Sequence, residues 1–450
     1  MIGEKILCGL DVGSQRLKAG VVKVTSHEHC ELLGVYEMPT MGFVKSSVSD
    51  LGDLTECIQS TLANLSKKIG FKLKDIQLGI GGDLIDTHRS RAIIPLSDRG
   101  NKVVAALDVK KVNTQARLLG IKMDEDLLHE FAQSYEIDGV NSALNPLGLY
   151  ARKLEVDMLL VIAHLTSINN ISKAVNQAGY EVANVFFTSF AASEISLTRK
   201  AKIDGVALID IGASVTDVLI FKDGILRIIE KIPLGGEDVT RNIAHNLQLS
   251  FDLAEDIKKS YGMAFSADQN EQTRNQAVLM NKEMTEESHA VSSAAHVQQQ
   301  VKPQEGKFAN YQSAQEEILV KNDKGYFPIK RKVIYESIEP DIDQLVAAIE
   351  QCMKGPFYNQ LNGGIVIVGG GSLLPGLLER IEKNTRLPVR MGKVNIASMQ
   401  LNNGAIFTAA IGLAKMGFTK TLAYTLSKVD HGSWVKNFSA RLRELYQEYF

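Results

Sequence analysis

Residues 5–25, KILCGLDVGSQRLKAGVVKVT, decide the fold together with a second stretch of the same design, VALIDIGASVTDVLIFKDG at residues 206–224. Each stretch is an apolar strand, an Asp followed by a turn that contains Gly, and a second apolar strand. Asp11 and Asp210 lie about 200 residues apart, which is the spacing of a duplicated lobe and not of a short repeat array. The sequence therefore predicts two related α/β lobes.

Each hairpin supplies chemistry that a triphosphate needs. Backbone N–H groups in tight turns bind phosphate oxygens, and carboxylates hold the hydrated metal ion that accompanies them. Asp11 and Asp210 are the candidate metal ligands, because each stands at a strand end just before its turn. One Asp-x-Gly alone is also ordinary turn chemistry. The candidate phosphate-binding residues are Gly13, Ser14 and Gln15 in the first turn and Gly212, Ala213 and Ser214 in the second.

A third glycine cluster follows the apolar strand at residues 365–368 and precedes a helical stretch at residues 374–383. Backbone without side chains can approach a nucleoside and its phosphates closely. By itself the pattern also fits a simple strand-to-helix turn. The candidate nucleotide-binding residues here are Gly369, Gly370, Gly371 and Ser372.

A fourth element begins with Gly235 and Gly236, which precede a helical stretch from Asp238. Glu255 and Lys258 follow in the next helical stretch and share a face, because they are three residues apart. The carboxylate can bind ribose hydroxyls while the lysine stem packs on a base. The alternative is a surface ion pair.

In this order the four motifs resemble the phosphate-1, phosphate-2, nucleoside-side and adenosine motifs of the actin, sugar kinase and Hsp70 superfamily. Within it, the segment NPLGLYARKLEV at residues 145–156 resembles the 1C subdomain of the FtsA family of bacterial cell-division proteins. The resemblance implies an α/β, actin-like fold, ribonuclease H-like and duplicated, with two lobes and an inserted SHS2-type 1C subdomain. It also implies a protein that binds ATP and Mg²⁺, polymerises, and tethers the FtsZ ring to the membrane.

The resemblance, together with changes in composition and hydrophobic periodicity along the chain, predicts the domain boundaries. Helical periodicity is read at residues 109–119 and 126–135, and a strand at residues 153–164, all within the inserted segment. Polar residues 264–323 are expected to be a disordered insertion, because they cannot bury enough apolar surface to offset chain entropy. The expected parts are lobe 1A at 1–85 and 165–205 with a closing helix near 403–418, subdomain 1C at 86–164, lobe 2A at 206–240 and 361–402, subdomain 2B at 241–360, a linker at 419–432 and a terminal helix at 433–450.

The last residues of the chain predict an amphipathic helix that begins after Ser433, a good N-cap. Its apolar side can enter the headgroup region of a bilayer while basic residues meet anionic lipids. The alternative is that this helix docks on its own domain. The candidate membrane-contacting residues are Trp434, Phe438, Leu442, Leu445 and Tyr449.

The amino-acid composition excludes some classes of binding partner. The net charge is −2 and Lys and Arg form no cluster, which argues against nucleic acid. The four cysteines lack CxxC spacing, so neither a zinc site nor a disulfide framework is expected. The sequence predicts neither a leader peptide nor a membrane-spanning stretch. We expect the protein to be located at the cytoplasmic face of the cell membrane, at the division site. The resemblance implies as partners the FtsZ C-terminal peptide, further copies of the chain, anionic lipid and later division proteins.

One departure from the family concerns hydrolysis. The family's phosphate-2 turn is usually glycine-rich, whereas this chain has Ala213. If φ is positive there, the Cβ costs on the order of 1 kcal/mol and crowds the γ-phosphate. Asp217 is the candidate for orienting an attacking water, and at most slow ATPase activity is expected.

Two other functions stay open at this point. One is a scaffold resembling the type IV pilus assembly protein PilM, which would lack a lipid-binding terminal helix. The other is a small-molecule kinase on the same fold, for which no aspartate base in a substrate pocket is visible in the sequence.

Overall fold

A computed structural model describes residues 4–25, 30–97, 100–265, 317–322, 325–394, 396, 401 and 403–429. The chain divides into two compact units, residues 1–236, 347–373 and 381–450, and residues 237–346 and 374–380. The predicted terminal helix at 433–450, with its five membrane candidates, lies outside the described residues, as does most of the polar insertion.

The strands are β1 (Lys5–Val12), β2 (Arg16–Val24), β3 (Cys30–Pro39), β4 (Phe43–Val44), β5 (Ser47–Val48), β6 (Asp75–Ile80), β7 (Ile85–Pro95), β8 (Lys102–Val103), β9 (Glu125–Ile137), β10 (Asn141–Ala143), β11 (Tyr150–Ala151), β12 (Lys153–His164), β13 (Glu181–Phe187), β14 (Val206–Ile211), β15 (Thr216–Lys222), β16 (Ile225–Ile232), β17 (Glu317–Asn322), β18 (Gly325–Lys330), β19 (Ile365–Val368) and β20 (Val389–Met391). The α-helices are α1 (Leu51–Ile69), α2 (Ala106–Gly120), α3 (Leu165–Gln177), α4 (Thr188–Ser196), α5 (Arg199–Asp204), α6 (Gly236–Leu247), α7 (Phe251–Tyr261), α8 (Arg331–Met353), α9 (Leu377–Thr385) and α10 (Thr408–Val429). Short 3₁₀ turns lie at Gly82–Leu84, Tyr358–Gln360, Gly370–Leu373 and Gly404–Ile406.

The first unit contains two five-stranded sheets with the same topology. One has the order β13-β6-β1-β2-β3 and the other the order β20-β19-β14-β15-β16. In each sheet the central strand pairs antiparallel with the strand that follows it and parallel with a strand from much later in the chain. The predicted duplication is therefore a duplication of whole sheets.

Helices cover the first sheet because their apolar faces match it. Helix α1 buries Leu54, Ile58, Leu62 and Leu65, which recur at the spacing of one helical face. Helix α10 packs closely on β1, where a Cβ on Gly9 would lie 2.1 Å from the carbonyl oxygen of Ala410. The first sheet therefore packs against both α1 and α10.

The inserted segment forms a four-stranded sheet, in the order β10-β9-β12-β7, with α2 packed against β7 and β12. The helix predicted at residues 126–135 is wrong, since these residues belong to the long strand β9. Two register shifts between β9 and β12 leave Leu128 and Gln133 without a partner in the ladder. At the first shift two successive residues, Leu128 and His129, are buried, whereas burial alternates from His129 to Ile137 as in an ordinary half-buried strand.

The second unit contains α7, most of α6 and α8, and the hairpin of β17 and β18. Strand β17 begins at Glu317, so the expected insertion of residues 264–323 is too long at its C-terminal end. Ile318 and Val320 are buried and Leu319 between them is 67% exposed, which is the alternation of a half-buried strand. In the sequence Ile318, Leu319 and Val320 form only a short apolar run between polar residues, so the alternation appears in their burial and not in the sequence.

Helix α10 ends at Val429 and continues past residue 418, into the segment expected to be a linker. Residues 418–429 contain neither Gly nor Pro, so nothing in the sequence interrupts the helix there. No helix in the described part of the chain is both long and apolar enough to cross a bilayer.

Candidate functional site

The two hairpins have the same strand register. Asp11 on β1 pairs with Lys18 on β2, and Asp210 on β14 pairs with Asp217 on β15. In both hairpins the partner comes seven residues after the aspartate. Lys18 and Asp217 therefore occupy equivalent positions beside the two candidate metal ligands.

Both turns require glycine at their first residue, because there is no space for a Cβ atom there. A Cβ on Gly13 would lie 2.8 Å from the carbonyl oxygen of Arg16, and one on Gly212 would lie 2.7 Å from that of Val215. The positive φ considered for Ala213 is not found, because Ala213 is absent from the described non-glycine residues with positive φ. The strain argument for slow hydrolysis therefore does not hold.

The third glycine cluster lies directly against Asp210. Gly369 has φ +86°, and a Cβ there would lie 2.5 Å from Oδ1 of Asp210 and 2.4 Å from the carbonyl oxygen of Ile211. A Cβ on Gly370, in contrast, would meet nothing within 4 Å. Ser372 is buried and its hydroxyl donates to the Gly369 carbonyl at 2.6 Å, so it holds the turn in shape. The open face of this cluster is at Gly370.

Gly235 and Gly236 lie on the second turn. The Gly236 N–H donates to the carbonyl oxygen of Gly212 at 3.0 Å, and a Cβ on Gly235 would lie 2.3 Å from the carbonyl oxygen of Ala213. Helix α6 begins at Gly236. The turn of Gly212 and the first residue of α6 are thus joined by backbone contacts.

The acidic ends of β1 and β14 act on each other electrostatically. Burial raises the pKa of Asp11 to about 6, the Lys18 ammonium 4.0 Å away opposes this shift, and the Asp210 carboxylate adds to it. Burial also raises the pKa of Asp210, against the effects of Lys18 and of the Ser189 hydroxyl. The structure therefore brings Asp11 and Asp210 into one electrostatic site with a shared cation.

Asp217 is a third carboxyl of this group with a raised pKa. Its Oδ2 accepts from the Ser189 hydroxyl at 2.6 Å, and the same hydroxyl lies 3.0 Å from Oδ2 of Asp210. Burial raises the pKa of Asp217 to about 7; Ser189 and Lys231 oppose the shift, while Asp210 and Asp83 add to it. Its Oδ1 is buried without a hydrogen-bond partner. A single hydroxyl proton serves two carboxylates, so this site has acceptor capacity to spare.

The first turn is held by the segment that follows β3. Thr40 donates from its hydroxyl to the Gly13 carbonyl at 2.7 Å, and the Ser46 N–H lies 3.4 Å from the Ser14 hydroxyl. Nε2 of Gln15 is buried without a hydrogen-bond partner. The amide of Gln15 is thus a donor available to a bound group.

In the second unit, Glu255 and Lys258 pair with each other. Lys258 Nζ lies 2.6 Å from Glu255 Oε2 and donates to the Thr240 hydroxyl at 2.8 Å. Burial opposes ionisation of Glu255, but Lys258, Thr240 and Lys259 outweigh it and hold the Glu255 pKa below its usual range. Burial lowers the pKa of Lys258 despite Glu255, because the ammonium is only 13% exposed. The pair is therefore a partly buried cluster with Thr240, not a loose surface ion pair.

Lys18, Ser189 and Thr240 are not among the site residues predicted from the sequence. A residue-by-residue alignment of the two hairpins finds Lys18, because it stands at the position of Asp217. Nothing local marks Ser189 or Thr240, since each meets its partners only through tertiary packing.

Two sequence models of one protein family match the chain. "Cell division protein FtsA" matches residues 207–412, and "SHS2 domain inserted in FTSA" matches residues 82–162, which together are more than half of the chain. Among curated relatives, the cell division protein FtsA of Pseudomonas aeruginosa is 27% identical over 92% of this chain and 90% of its own length. The FtsA of Escherichia coli K12 is 24% identical over 98% of each chain.

Among solved structures, the PilM-PilN type IV pilus biogenesis complex is similar to this chain with a TM-score of 0.60. That match covers 91% of this chain and 98% of the other, at 15% sequence identity. Identity this low supports a common fold and nothing further.

Proposed function

Since the chain belongs to the FtsA family of cell division proteins and has an actin-like α/β fold with an inserted SHS2 domain, we propose that it binds ATP with Mg²⁺, polymerises, and tethers FtsZ filaments to the membrane. Its place is the cytoplasmic face of the cell membrane at the division site, where it recruits later division proteins.

One observation carries the nucleotide part of the proposal. Two hairpins of identical register bring two partly buried carboxylates, Asp11 and Asp210, to one cation, and both turns are too tight for a side chain at their first glycine. Glycine turns with exposed N–H groups bind phosphate oxygens. Duplicated turns that face one electrostatic centre fit the phosphate chain of a nucleotide.

The residues present fit Mg²⁺ and a triphosphate. Oδ1 of Asp217 and Nε2 of Gln15 are buried without partners, and the backbone at Gly370 has open space. Hard carboxylate oxygens and water are the ligands that Mg²⁺ prefers. When bound, Mg²⁺ would neutralise phosphate charge, and Asp11 and Asp210 would be the residues that hold it.

The chain's own side chains then have distinct tasks. Lys18 offsets the charge of Asp11 and Asp210, and Gln15 donates to a phosphate oxygen. Ser189 orients Asp217, whose free Oδ1 accepts a hydrogen bond from a water. A carboxylate with a pKa of about 7 can take a proton at neutral pH, which suits a general base. Glu255 and Lys258, in the second unit, stay sequence-based candidates for binding the nucleoside.

Isothermal calorimetry tests the nucleotide site. We expect the wild type to take up ATP only with Mg²⁺, and Asp11→Asn and Asp210→Asn each to weaken binding at least about tenfold, because each removes a metal-holding charge. Asp86→Asn, at an exposed position on β7, is the matched control and should bind as the wild type does. Equal affinity for all four proteins would refute the site.

Sedimentation with liposomes tests the tether. The full-length chain should pellet with vesicles of anionic lipid and carry an FtsZ C-terminal peptide with it, whereas a chain truncated after Lys428 should do neither. Addition of ATP should increase the pelleted fraction by polymerisation. Equal pelleting of the full-length and truncated chains would exclude the terminal helix as the anchor.

The alternative, a pilus-assembly scaffold resembling PilM, has only the fold likeness in its favour. It predicts no dependence on lipid, so the same vesicles separate the two functions.

A further inference from the structure

Strand β16 connects the candidate nucleotide site to the inserted sheet. It is the edge strand of the second sheet and carries Lys231, which pairs across the strands with Asp217 on β15. Paired residues on neighbouring strands project on the same side of a sheet. The ammonium of Lys231 accordingly acts on the Asp217 carboxylate.

The same ammonium reaches the inserted sheet. Nζ of Lys231 donates to the carbonyl oxygen of Ile85 at 2.6 Å, and Ile85 is the first residue of β7. One cation thus has two anionic or polar partners, a carboxylate in the candidate site and a backbone carbonyl at the start of the insertion.

Further bonds fasten the insertion to β16. The buried Gln133 side chain donates to the Leu226 carbonyl at 2.9 Å, and Arg227 donates back to the Gln133 carbonyl at 2.7 Å. Arg89 on β7 donates to the Arg227 carbonyl at 3.1 Å. Gln133 is one of the two residues that the register shifts leave out of the β9–β12 ladder, which frees it to bond outside its own sheet. Several hydrogen bonds therefore join the inserted sheet to β16. Among the residues that make them, Lys231 is the one paired with a residue of the candidate site.

We propose that Lys231 couples the state of the nucleotide site to the hold on the inserted sheet. When the charge at Asp217 is neutralised, by a bound cation or by substitution, Lys231 loses one attraction and bonds more firmly to Ile85. Conversely, a protein that moves β7 changes nucleotide affinity by the same factor, because coupling between two sites is reciprocal. The inference rests on the proposed function in so far as the group bound beside Asp217 is a nucleotide with its metal ion.

Hydrogen–deuterium exchange at pH 8 tests the coupling, with Asp217→Asn, Lys231→Met and the double variant compared with the wild type. We expect Asp217→Asn to slow exchange of the amides at residues 85–90 at least about threefold in the wild-type background and to have no effect in the Lys231→Met background. Lys231→Arg keeps a cation and donors and should preserve the response. The matched control is Lys222→Met, because Lys222 donates to the Asp204 carbonyl and not to the insertion.

An equal effect of Asp217→Asn in both backgrounds, or no effect in the wild type, would overturn the proposal, and so would loss of the response in Lys222→Met. Calorimetry on the same proteins keeps the two ideas apart. A response that requires Lys231 in a protein that takes up no ATP would support the coupling and refute the proposed nucleotide function.

Discussion

At the scale of single residues, Gly369 and Gly370 have opposite steric demands although they are neighbours. We expect Gly369→Ala to lower the free energy of unfolding by about 2 kcal/mol or more, because a Cβ at φ +86° would meet the Ile211 carbonyl and Asp210 at 2.4 and 2.5 Å. Gly370→Ala should leave stability within about 0.5 kcal/mol of the wild type but weaken ATP binding, since we propose that the nucleotide lies at its open face. Urea unfolding and calorimetry measure the two effects. Equal stability of the two variants would contradict this geometry.

Asp217 gives a residue-scale prediction about pH. Its folded pKa is raised to about 7, above the usual 3.8, so the folded state binds the proton more tightly than the unfolded chain does. The stabilising effect of that proton is complete below about pH 4 and is lost as the pH rises through about 7. Asp217→Asn should therefore stabilise the nucleotide-free protein at pH 8, by on the order of 1–3 kcal/mol, and have little effect at pH 4.

Thermal unfolding of the two proteins between pH 4 and pH 8 measures this difference. Asp157→Asn, on the inserted sheet and outside the site, should show no comparable gain at pH 8. A stability difference between Asp217→Asn and the wild type that does not grow with pH would rule out the burial of an ionised Asp217 as its cause.

At the scale of elements, the tight turn between β4 and β5 stores strain. Lys45 and Ser46 both have positive φ, 46° and 57°, although neither is glycine. Lys45 is exposed, and we expect Lys45→Gly to raise the free energy of unfolding by about 0.5–1 kcal/mol. Lys45→Ala keeps a Cβ and should give no such gain in a denaturant titration. A similar gain from alanine would point to charge and not to backbone conformation.

Element types follow the local pattern where the pattern is regular. The sequence predicts β12 and β15 with the bounds that the structure has, because each contains an apolar run, at residues 158–163 in β12 and 218–221 in β15. It mistakes β9 for a helix, because register shifts at Leu128 and Gln133 are defined only by the partner strand. It stops α10 too early, because a break there was expected from polarity and not from a Gly or Pro.

At the scale of the whole molecule, ligand binding should stabilise the fold by mass action. With free Mg²⁺ and ATP at about 100 times the dissociation constant, we expect about 2.7 kcal/mol of added stability. Asp210→Asn should fold yet lose this gain, because it lacks a carboxylate that we propose holds the metal ion. Thermal unfolding with and without nucleotide measures it, and an unchanged gain in Asp210→Asn would contradict the site.

The sequence by itself determined the duplication, the two hairpins with Asp11 and Asp210, and the place of the insertion. These depend on strand periodicity and turn residues, which are local and legible in the chain. Only the tertiary structure decided that Ser189 bridges Asp210 and Asp217, that Ala213 is unstrained, and that Lys231 faces both Asp217 and Ile85. Such contacts join residues that are far apart in sequence, and burial, which sets the pKa values of the acids, exists only once the sheets have packed.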